Sequence, residues 1–399
     1  MRPVFVPGNR LTLLHSGGEY FPALLGAIDR AQRSIHLETY IFEADRTGRA
    51  VAAALSRASR RGVTVRVLVD AFGGGTFPTT LMPGLLADGV QVAIYRPQLF
   101  QLTLHQGRLH RLHRKMGVID ERVVFIGGIN VIDDRDSPRP ELPPRFDFAV
   151  RIEGPLAATA QRLVNKLWDS AAEEDPDEDV PAPPAPVADR PPQPNGEDTA
   201  AIVIRDNVRH RRDIEHVYLQ AIRLAQREII IANAYFLPGR RFQEALMDAA
   251  QRGVSVRVLL EGCAEYPLVY YATQALYGTL LQGGVRIYEY HRSYLHAKVA
   301  VIDNEWATVG SSNIDPFSLL LAQEANVVTR SPTFAAQLRK ALMDAIEDGA
   351  HELKPDDWQH AHLGIRALRT GCYQITRALQ GVVGAEQEEP PRESGAAEG

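Results

Sequence analysis

LHRKMGVIDERVVFIGGIN (Leu112–Asn130) and LHAKVAVIDNEWATVGSSN (Leu295–Asn313) are one pattern written twice, 183 residues apart. Each copy keeps a His, a Lys two residues on, an Asp seven on, a Gly fourteen on and an Asn seventeen on, while the residues between them drift. The constraint therefore falls on positions and not on composition. With 12 His and only five Lys in 399 residues, chance expects well under one His-x-Lys pair, so two complete copies at matched places signal a shared task.

The repetition extends outward from the motif. AQRSIHLETYIF (Ala31–Phe42) is echoed by AQREIIIANAYF (Ala225–Phe236), and GVTVRVLVD (Gly62–Asp70) by GVSVRVLLE (Gly253–Glu261). Each copy reads as a β-branched strand, a helix with an apolar period near 3.6 that stops at a Gly, and a second strand. Further strands follow (VQVAIYRP and VRIYEYHR, then the His-Lys strand, then VVFIGG and WATVGSS). The short turns at DER and DNE make the His-Lys strand antiparallel to its successor, so the sheet of each unit is mixed α/β. The expected organisation is two homologous units, 1–168 and 199–384, each a mixed sheet flanked by helices and packed about a pseudo-twofold axis. Residues 169–198 form an acidic, Pro-rich linker, with eight prolines between Pro176 and Pro194, and 385–399 an acidic tail; both compositions resist packing.

The net charge of −5 conceals a basic body, because ten acids lie between Asp169 and Asp198 and five between Ala385 and Gly399, each against a single Arg. A basic body suits an anionic partner such as phospholipid head groups or nucleic acid. Of 44 basic residues only five are Lys, and two of those sit at matched motif positions, where a compact, rotatable ammonium is wanted in place of a planar guanidinium. No run of eighteen apolar residues and no signal-peptide pattern is found, which predicts a protein on the cytoplasmic side, touching the membrane from there. Cys263 and Cys372 match neither a metal spacing nor a disulfide framework and are read as free thiols. LGIRALRTGCYQITRALQGVVG (Leu363–Gly384) has the period of an amphipathic helix, either interfacial or docked on its domain, with docking the expected reading.

Strand parity sorts the motif. His113 and Lys115 share one face, as do His296 and Lys298, whereas Asp120 and Asp303 fall on the other and read as scaffold at the strand end. Asn130 and Asn313 follow the next strand and reach back to the His-Lys face. Two imidazoles and two ammonium groups suit a phosphodiester. The Lys and Asn side chains hold non-bridging oxygens, one imidazole attacks phosphorus to give a phosphohistidine, and the other serves the departing and arriving alcohols. A metal site at His105, His110 and His113 is disfavoured by adjacent cations and the absence of a carboxylate at ligand spacing, so no metal or other cofactor is expected, and His105 and His110 read as part of a basic loop. Nuclease function is disfavoured by 7 % aromatic residues without a nucleic-acid-binding module.

These residues resemble the paired HKD motifs of the phospholipase D superfamily: His113, Lys115 and Asp120 with Gly127 and Asn130, and His296, Lys298 and Asp303 with Gly310 and Asn313. Within it, HLETYIF, FDFAVRIEGP and the long stretch Leu295–Val328 are similar to the bacterial cardiolipin synthases, most of all the shorter B type. The resemblance implies metal-independent transfer of a phosphatidyl group between lipids, with phosphatidylglycerol or phosphatidylethanolamine as substrate; hydrolysis of the same bond is the alternative, and a monomer is expected. It also implies an acid behind each catalytic His, which Asp147 of FDFAV fits in the first unit and Glu324 of AQEANVV in the second. His113 is the implied nucleophile and His296 the acid/base. Gly128 stands where the second copy has Ser311, which is expected to cost a hydroxyl near the phosphate. RPQLFQLTLH (Arg96–His105) and EYPLVYYATQALYGTLL (Glu265–Leu281) are candidates for an acyl groove, although the second reads slightly better as core.

Overall fold

The computed structural model describes residues 3–96, 111–137, 139, 141–174, 193–206, 209–263, 267–315, 322–355 and 367–376. His105, His110, most of RPQLFQLTLH and the acidic tail lie outside these residues, as does the middle of the proposed linker.

The first unit runs β1 (Val6–His15), α1 (Ser16–Arg30), β2 (Ser34–Thr39), α2 (Arg46–Arg60), β3 (Thr64–Asp70), α3 (Phe77–Thr80), α4 (Met82–Ala87), β4 (Gln91–Tyr95), β5 (Arg111–Leu112), β6 (Met116–Ile119), β7 (Val123–Gly127), β8 (Phe148–Glu153) and α5 (Leu156–Glu174). The second runs β9 (Asp198–Arg205), α6 (Asp213–Leu224), β10 (Glu228–Asn233), α7 (Arg240–Gln251), β11 (Ser255–Glu261), α8 (Pro267–Gln274), α9 (Tyr277–Gln282), β12 (Arg286–Tyr290), β13 (Lys298–Ile302), β14 (Trp306–Gly310), β15 (Ala322–Thr329), α10 (Pro332–Gly349) and β16 (Ala350–Leu353). Helix α5 continues six residues into the segment read as linker, and Asp198 already belongs to β9, where its carboxylate accepts from the Leu11 amide (2.8 Å).

Local chemistry sets these elements as expected. Asp45 caps α2 by accepting from the Gly48 amide (2.7 Å), and Ser331 caps α10 by accepting from Phe334. Gly62 and Gly253 follow α2 and α7 at φ +89 and +90, the left-handed conformation that ends a helix without strain only in Gly.

In each unit three parallel strands (β2, β3, β4; β10, β11, β12) continue into an antiparallel run (β6, β7, β8; β13, β14, β15), which is the mixed sheet expected from the turns. The two sheets are not separate. β1 pairs with β8 on one side and β9 on the other, and β9 pairs with β15, so a single 16-stranded sheet runs through both units.

Three large apolar cores follow. One lies outside each sheet: α1 and α2 on β2 and β3 (Leu24, Val51, Leu55, Val67), and α6 and α7 on β10 and β11 (Val217, Ile222, Leu246, Val258). The third is shared, for Phe148, Val150 and Val164 of the first unit pack in one cluster with Val299, Val327, Leu338 and Leu342 of the second. Burying a side chain of this size contributes roughly 1.5–3 kcal/mol. The shared cluster therefore holds the two units in one fixed relation, which a site made from halves of each requires.

The remaining apolar segments take structural roles. Ala272, Leu276, Tyr277 and Leu280 lie within the second unit's core, with Leu268 exposed at the rim, so α8 and α9 are mainly packing elements. Residues 367–376 are helical and dock through buried Cys372 and Thr376, leaving Leu368 and Ile375 exposed. Cys263 and Cys372 are both unpaired and buried. Among the described residues no helix is long and apolar enough to cross a membrane.

Candidate active site

The motif residues arrive by a crossed route. The extended segment holding His113 and Lys115 docks on the second unit's β15: Leu112 pairs with Gln323, and the His113 amide donates to the Gln323 carbonyl (3.0 Å). The segment holding His296 docks likewise on the first unit, with Leu295 bridging Phe146 and the His296 amide donating to the Phe146 carbonyl (2.9 Å). A carboxylate behind each segment fixes its start. Asp70 accepts from the Leu112 amide (2.7 Å) and Glu261 from the Leu295 amide (2.5 Å), the last residues of β3 and β11 acting alike.

The crossing decides which acid serves which His. His113 Nδ1 meets Glu324 Oε1 at 2.8 Å, and His296 Nδ1 meets Asp147 Oδ2 at 2.7 Å. Each imidazole thus takes its acid from the other unit, a correction to a unit-by-unit reading of the two pairs. The side chains of Glu324 and Asp147 are 0 % and 5 % exposed and each His 18 %, so the acids sit behind and only the far side of each ring faces solvent. A carboxylate on Nδ1 holds the proton there and turns an unprotonated Nε2 outward, the atom that a nucleophile or base needs.

The lysines complete the face. Lys115 Nζ donates to the His113 carbonyl (2.8 Å) and lies 5.4 Å from the centre of the Tyr40 ring, which meets His113 edge-on at 5.2 Å; Lys298 Nζ donates to the His296 carbonyl. Burial, together with the facing ammonium of Lys298, lowers the Lys115 pKa to about 7 against the opposing pull of Glu324. Burial lowers both His values as well. Glu324 partly offsets this at His113, whereas Lys298, Lys115 and Arg145 push His296 further, well below the ordinary imidazole value. Burial raises Asp147 to about 6 although Lys298 opposes it.

The motif Asp residues lie elsewhere, as parity indicated, and do not join the reacting side chains. Asp120 accepts from the amides of Gln32, Arg33 and Ser34 (2.9, 2.7 and 3.0 Å), and Asp303 from those of Gln226, Arg227 and Glu228 (2.8, 2.7 and 3.0 Å). Each opens a tight turn in which two successive residues have positive φ, Asp120 and Glu121 or Asp303 and Asn304, a conformation Asp and Asn tolerate. They tie that hairpin to the start of β2 or β10.

Ser311 departs from expectation. Its hydroxyl donates to Glu324 Oε2 and accepts from the Ala325 amide (3.1 Å), so it holds the acid and not a phosphate. Gly128 is its counterpart because Asp147 is one methylene shorter and stays close to the backbone, accepting from the Phe148 amide (2.7 Å); a Cβ at Gly128 would collide with that carboxylate. Asn130 accepts from the Ile41 amide (3.2 Å) and lines a cavity beside His296, whereas buried Asn313 leaves its amide oxygen without a hydrogen bond.

The cavity beside His296 also contains residues that sequence reasoning does not single out: Asp134, Arg145 and Tyr235. Arg145 carries a usable signal, since it lies two residues before Asp147 in the segment that leads into β8; Asp134 and Tyr235 carry none.

A family model described as "Cardiolipin synthase, PLD-like domain" matches residues 24–138 and 218–345. Cardiolipin synthase B of Salmonella typhi is 41 % identical over 352 residues, covering 85 % of this chain and 81 % of the relative. Cardiolipin synthase B of Shigella flexneri is 43 % identical over 350 residues, covering 84 % and 80 %. The solved phosphatidylserine synthase of Haemophilus influenzae Rd KW20 superposes with a TM-score of 0.67 at 13 % identity over 93 % of this chain and 94 % of its own, a likeness of fold.

Proposed function

The chain belongs to the cardiolipin synthase, PLD-like domain family, and on that premise we propose that it is a phosphatidyltransferase, moving a phosphatidyl group from a glycerophospholipid such as phosphatidylglycerol or phosphatidylethanolamine to the hydroxyl of a lipid or small alcohol. The observation that carries the proposal is the crossed pair of His–carboxylate contacts with two Lys on the same face. One imidazole alone could act as a base; two, each oriented by a buried acid, permit double displacement.

In the first step His113 Nε2 attacks phosphorus, and the P–O bond to the head-group alcohol breaks as His296, which the bound phosphodiester anion favours in its cationic form with a proton on Nε2 as well as on Nδ1, delivers the Nε2 proton to the departing oxygen. In the second, an incoming hydroxyl gives its proton to His296 as its oxygen displaces His113 from phosphorus. Lys115, Lys298, Asn130 and Asn313 hold the non-bridging oxygens, where charge develops in the transition state. Four side chains then do the work a metal would do elsewhere, so the reaction proceeds with chelator present. The enzyme acts as a monomer, peripherally, on the cytoplasmic face of the membrane.

The test uses purified protein, vesicles containing acyl-labelled phosphatidylglycerol, and EDTA. Labelled cardiolipin with glycerol released is the expected result. Phosphatidic acid as the sole product would make the chain a hydrolase, and undiminished activity in both His113→Ala and His296→Ala would overturn the mechanism.

A further inference from the structure

The cavity beside His296, about 80 Å³, has a chemical character that the shared reaction does not require. Its polar wall comprises Asn130, Asp134, Arg145, Asp147, Tyr235 and His296. Arg145 and Asp134 are tied together, since the Arg145 amide donates to the Asp134 carbonyl (3.1 Å), and the Asp134 carboxylate is anchored by the Gly17 amide. The opposite unit differs. The residue two before Glu324, matching Arg145 two before Asp147, is Ala322, and the residue matching Tyr235 is Ile41. The His296 side therefore carries a guanidinium and a phenol that the matching positions of the other half-site lack.

Resting on the function proposed above, we infer that Arg145 and Asp134 form the subsite for the acceptor, and that the acceptor it selects carries both a polyol and a phosphodiester. The argument is geometric. In-line displacement at phosphorus puts the departing and arriving alcohols opposite the nucleophile. With His113 as nucleophile, both alcohols stand on the His296 side, which is where this cavity opens. The acceptor oxygen bonds to phosphorus as the P–Nε2 bond to His113 breaks, its electron pair returning to that ring, and the hydroxyl proton passes to His296. A water molecule needs neither Arg145 nor Asp134. A glycerol attached to a phosphodiester uses both: its second hydroxyl donates to the Asp134 carboxylate, and its phosphate oxygens accept from the Arg145 fork. This makes Arg145 a specificity residue that favours transfer over hydrolysis.

The experiment compares acceptors at a fixed donor. Vesicles contain acyl-labelled phosphatidylethanolamine and unlabelled phosphatidylglycerol, with glycerol in the buffer, and initial rates of labelled cardiolipin, phosphatidylglycerol and phosphatidic acid are read. For Arg145→Ala the ratio of cardiolipin to the other two products falls at least ten-fold, while Arg145→Lys, which keeps the charge but loses the fork, shows a smaller fall. Asp134→Asn lowers the preference for glycerol over ethanol when those two alcohols compete. If the three products of Arg145→Ala fall in equal proportion, or its ratio is unchanged, the guanidinium serves the transferred phosphoryl group or the fold and the inference is overturned. A wild-type enzyme that forms no labelled lipid product either from this donor or from acyl-labelled phosphatidylglycerol overturns the proposed function, and this inference with it.

Discussion

His113 leans on a glutamate steadied by Ser311, while His296 leans on an aspartate packed against Gly128. A second inequality sits on the hidden face of the same segments. Arg114, between His113 and Lys115, makes a bidentate pair with Glu38 (2.5 and 2.7 Å), both 3 % exposed, and the matching positions of the second unit are Ala297 and Ala232, members of the shared apolar core. The backbone frame is duplicated closely, down to the hairpin turns at Asp120 and Asp303, yet the side chains that tune each His are not. Duplication preserved what positions the two halves, and divergence acted on the side chains around each His.

The largest effect probes that inequality directly. His113→Ala and His296→Ala should each lower turnover by about 10⁴-fold or more, as loss of one member of a concerted set does. They part in a trap with phosphorus-labelled donor, quenched in denaturant at alkaline pH, where a phosphohistidine survives: His296→Ala accumulates label on protein, and His113→Ala shows none. Label on His113→Ala alone would exchange the two roles.

Next comes the buried ion pair. Arg114→Met leaves Glu38 buried and uncompensated and should cost about 3–5 kcal/mol, measured by urea unfolding, whereas the double variant Arg114→Met/Glu38→Met, copying the apolar character of the second unit, regains most of it. A double variant no more stable than the single would show that the pair does more than compensate its own charges.

Ser311→Ala frees one oxygen of Glu324 and should lower kcat by about ten- to a hundred-fold with little change in KM, as loss of an outer hydrogen bond to a catalytic His does. Gly128→Ser should not be the mirror-image gain, because its side chain has no room beside Asp147; reduced stability in a thermal melt is the expected outcome.

The pH profile follows from Lys115, which faces Glu324, Lys298, Asp147 and Asp70 and whose pKa is lowered to about 7. A lowered Lys value means that the ammonium is present below that pH and lost above it, so kcat/KM should fall as pH rises through about 7. Bound phosphate favours the charged form, so the falling limb of kcat should lie higher. His113 must be unprotonated to attack, and its value, lowered by burial, puts the acid limb below the ordinary imidazole value of 6.5. A kcat/KM flat from pH 6 to 9 would remove Lys115 from phosphate binding.

The smallest effect on chemistry belongs to the motif Asp. Asp303→Asn should lower stability by about 1–2 kcal/mol, since amide donors lose a charged acceptor, while folded protein keeps most of its turnover. A large fall in kcat at unchanged stability would contradict its place behind the reacting face.

The duplication, the mixed sheets, the helix stops at Gly62 and Gly253, and the separation of His and Lys from Asp are all legible in the spacing of residues, since strand parity and glycine conformation are local rules. Asp147 and Glu324 come only from the family resemblance, which places one acid in each half without crossing them to their partners, and Ser311 can be placed near the site but not given the carboxylate it holds. Local rules say which face a side chain occupies, never which distant strand lies opposite it.

The sequence by itself determined that two equivalent half-sites exist and which residue types compose them, because periodicity and repeat spacing are properties of a single chain segment. Tertiary structure alone decided that the halves exchange their acids, that β1 and β9 fuse two sheets into one, and that Arg145 stands beside His296. The physical reason is the shared apolar core. Burying Phe148 and Val150 together with Val299 and Val327 docks each His segment against the other unit's acid-bearing strand, a pairing between residues about 150 to 210 positions apart that no local pattern encodes.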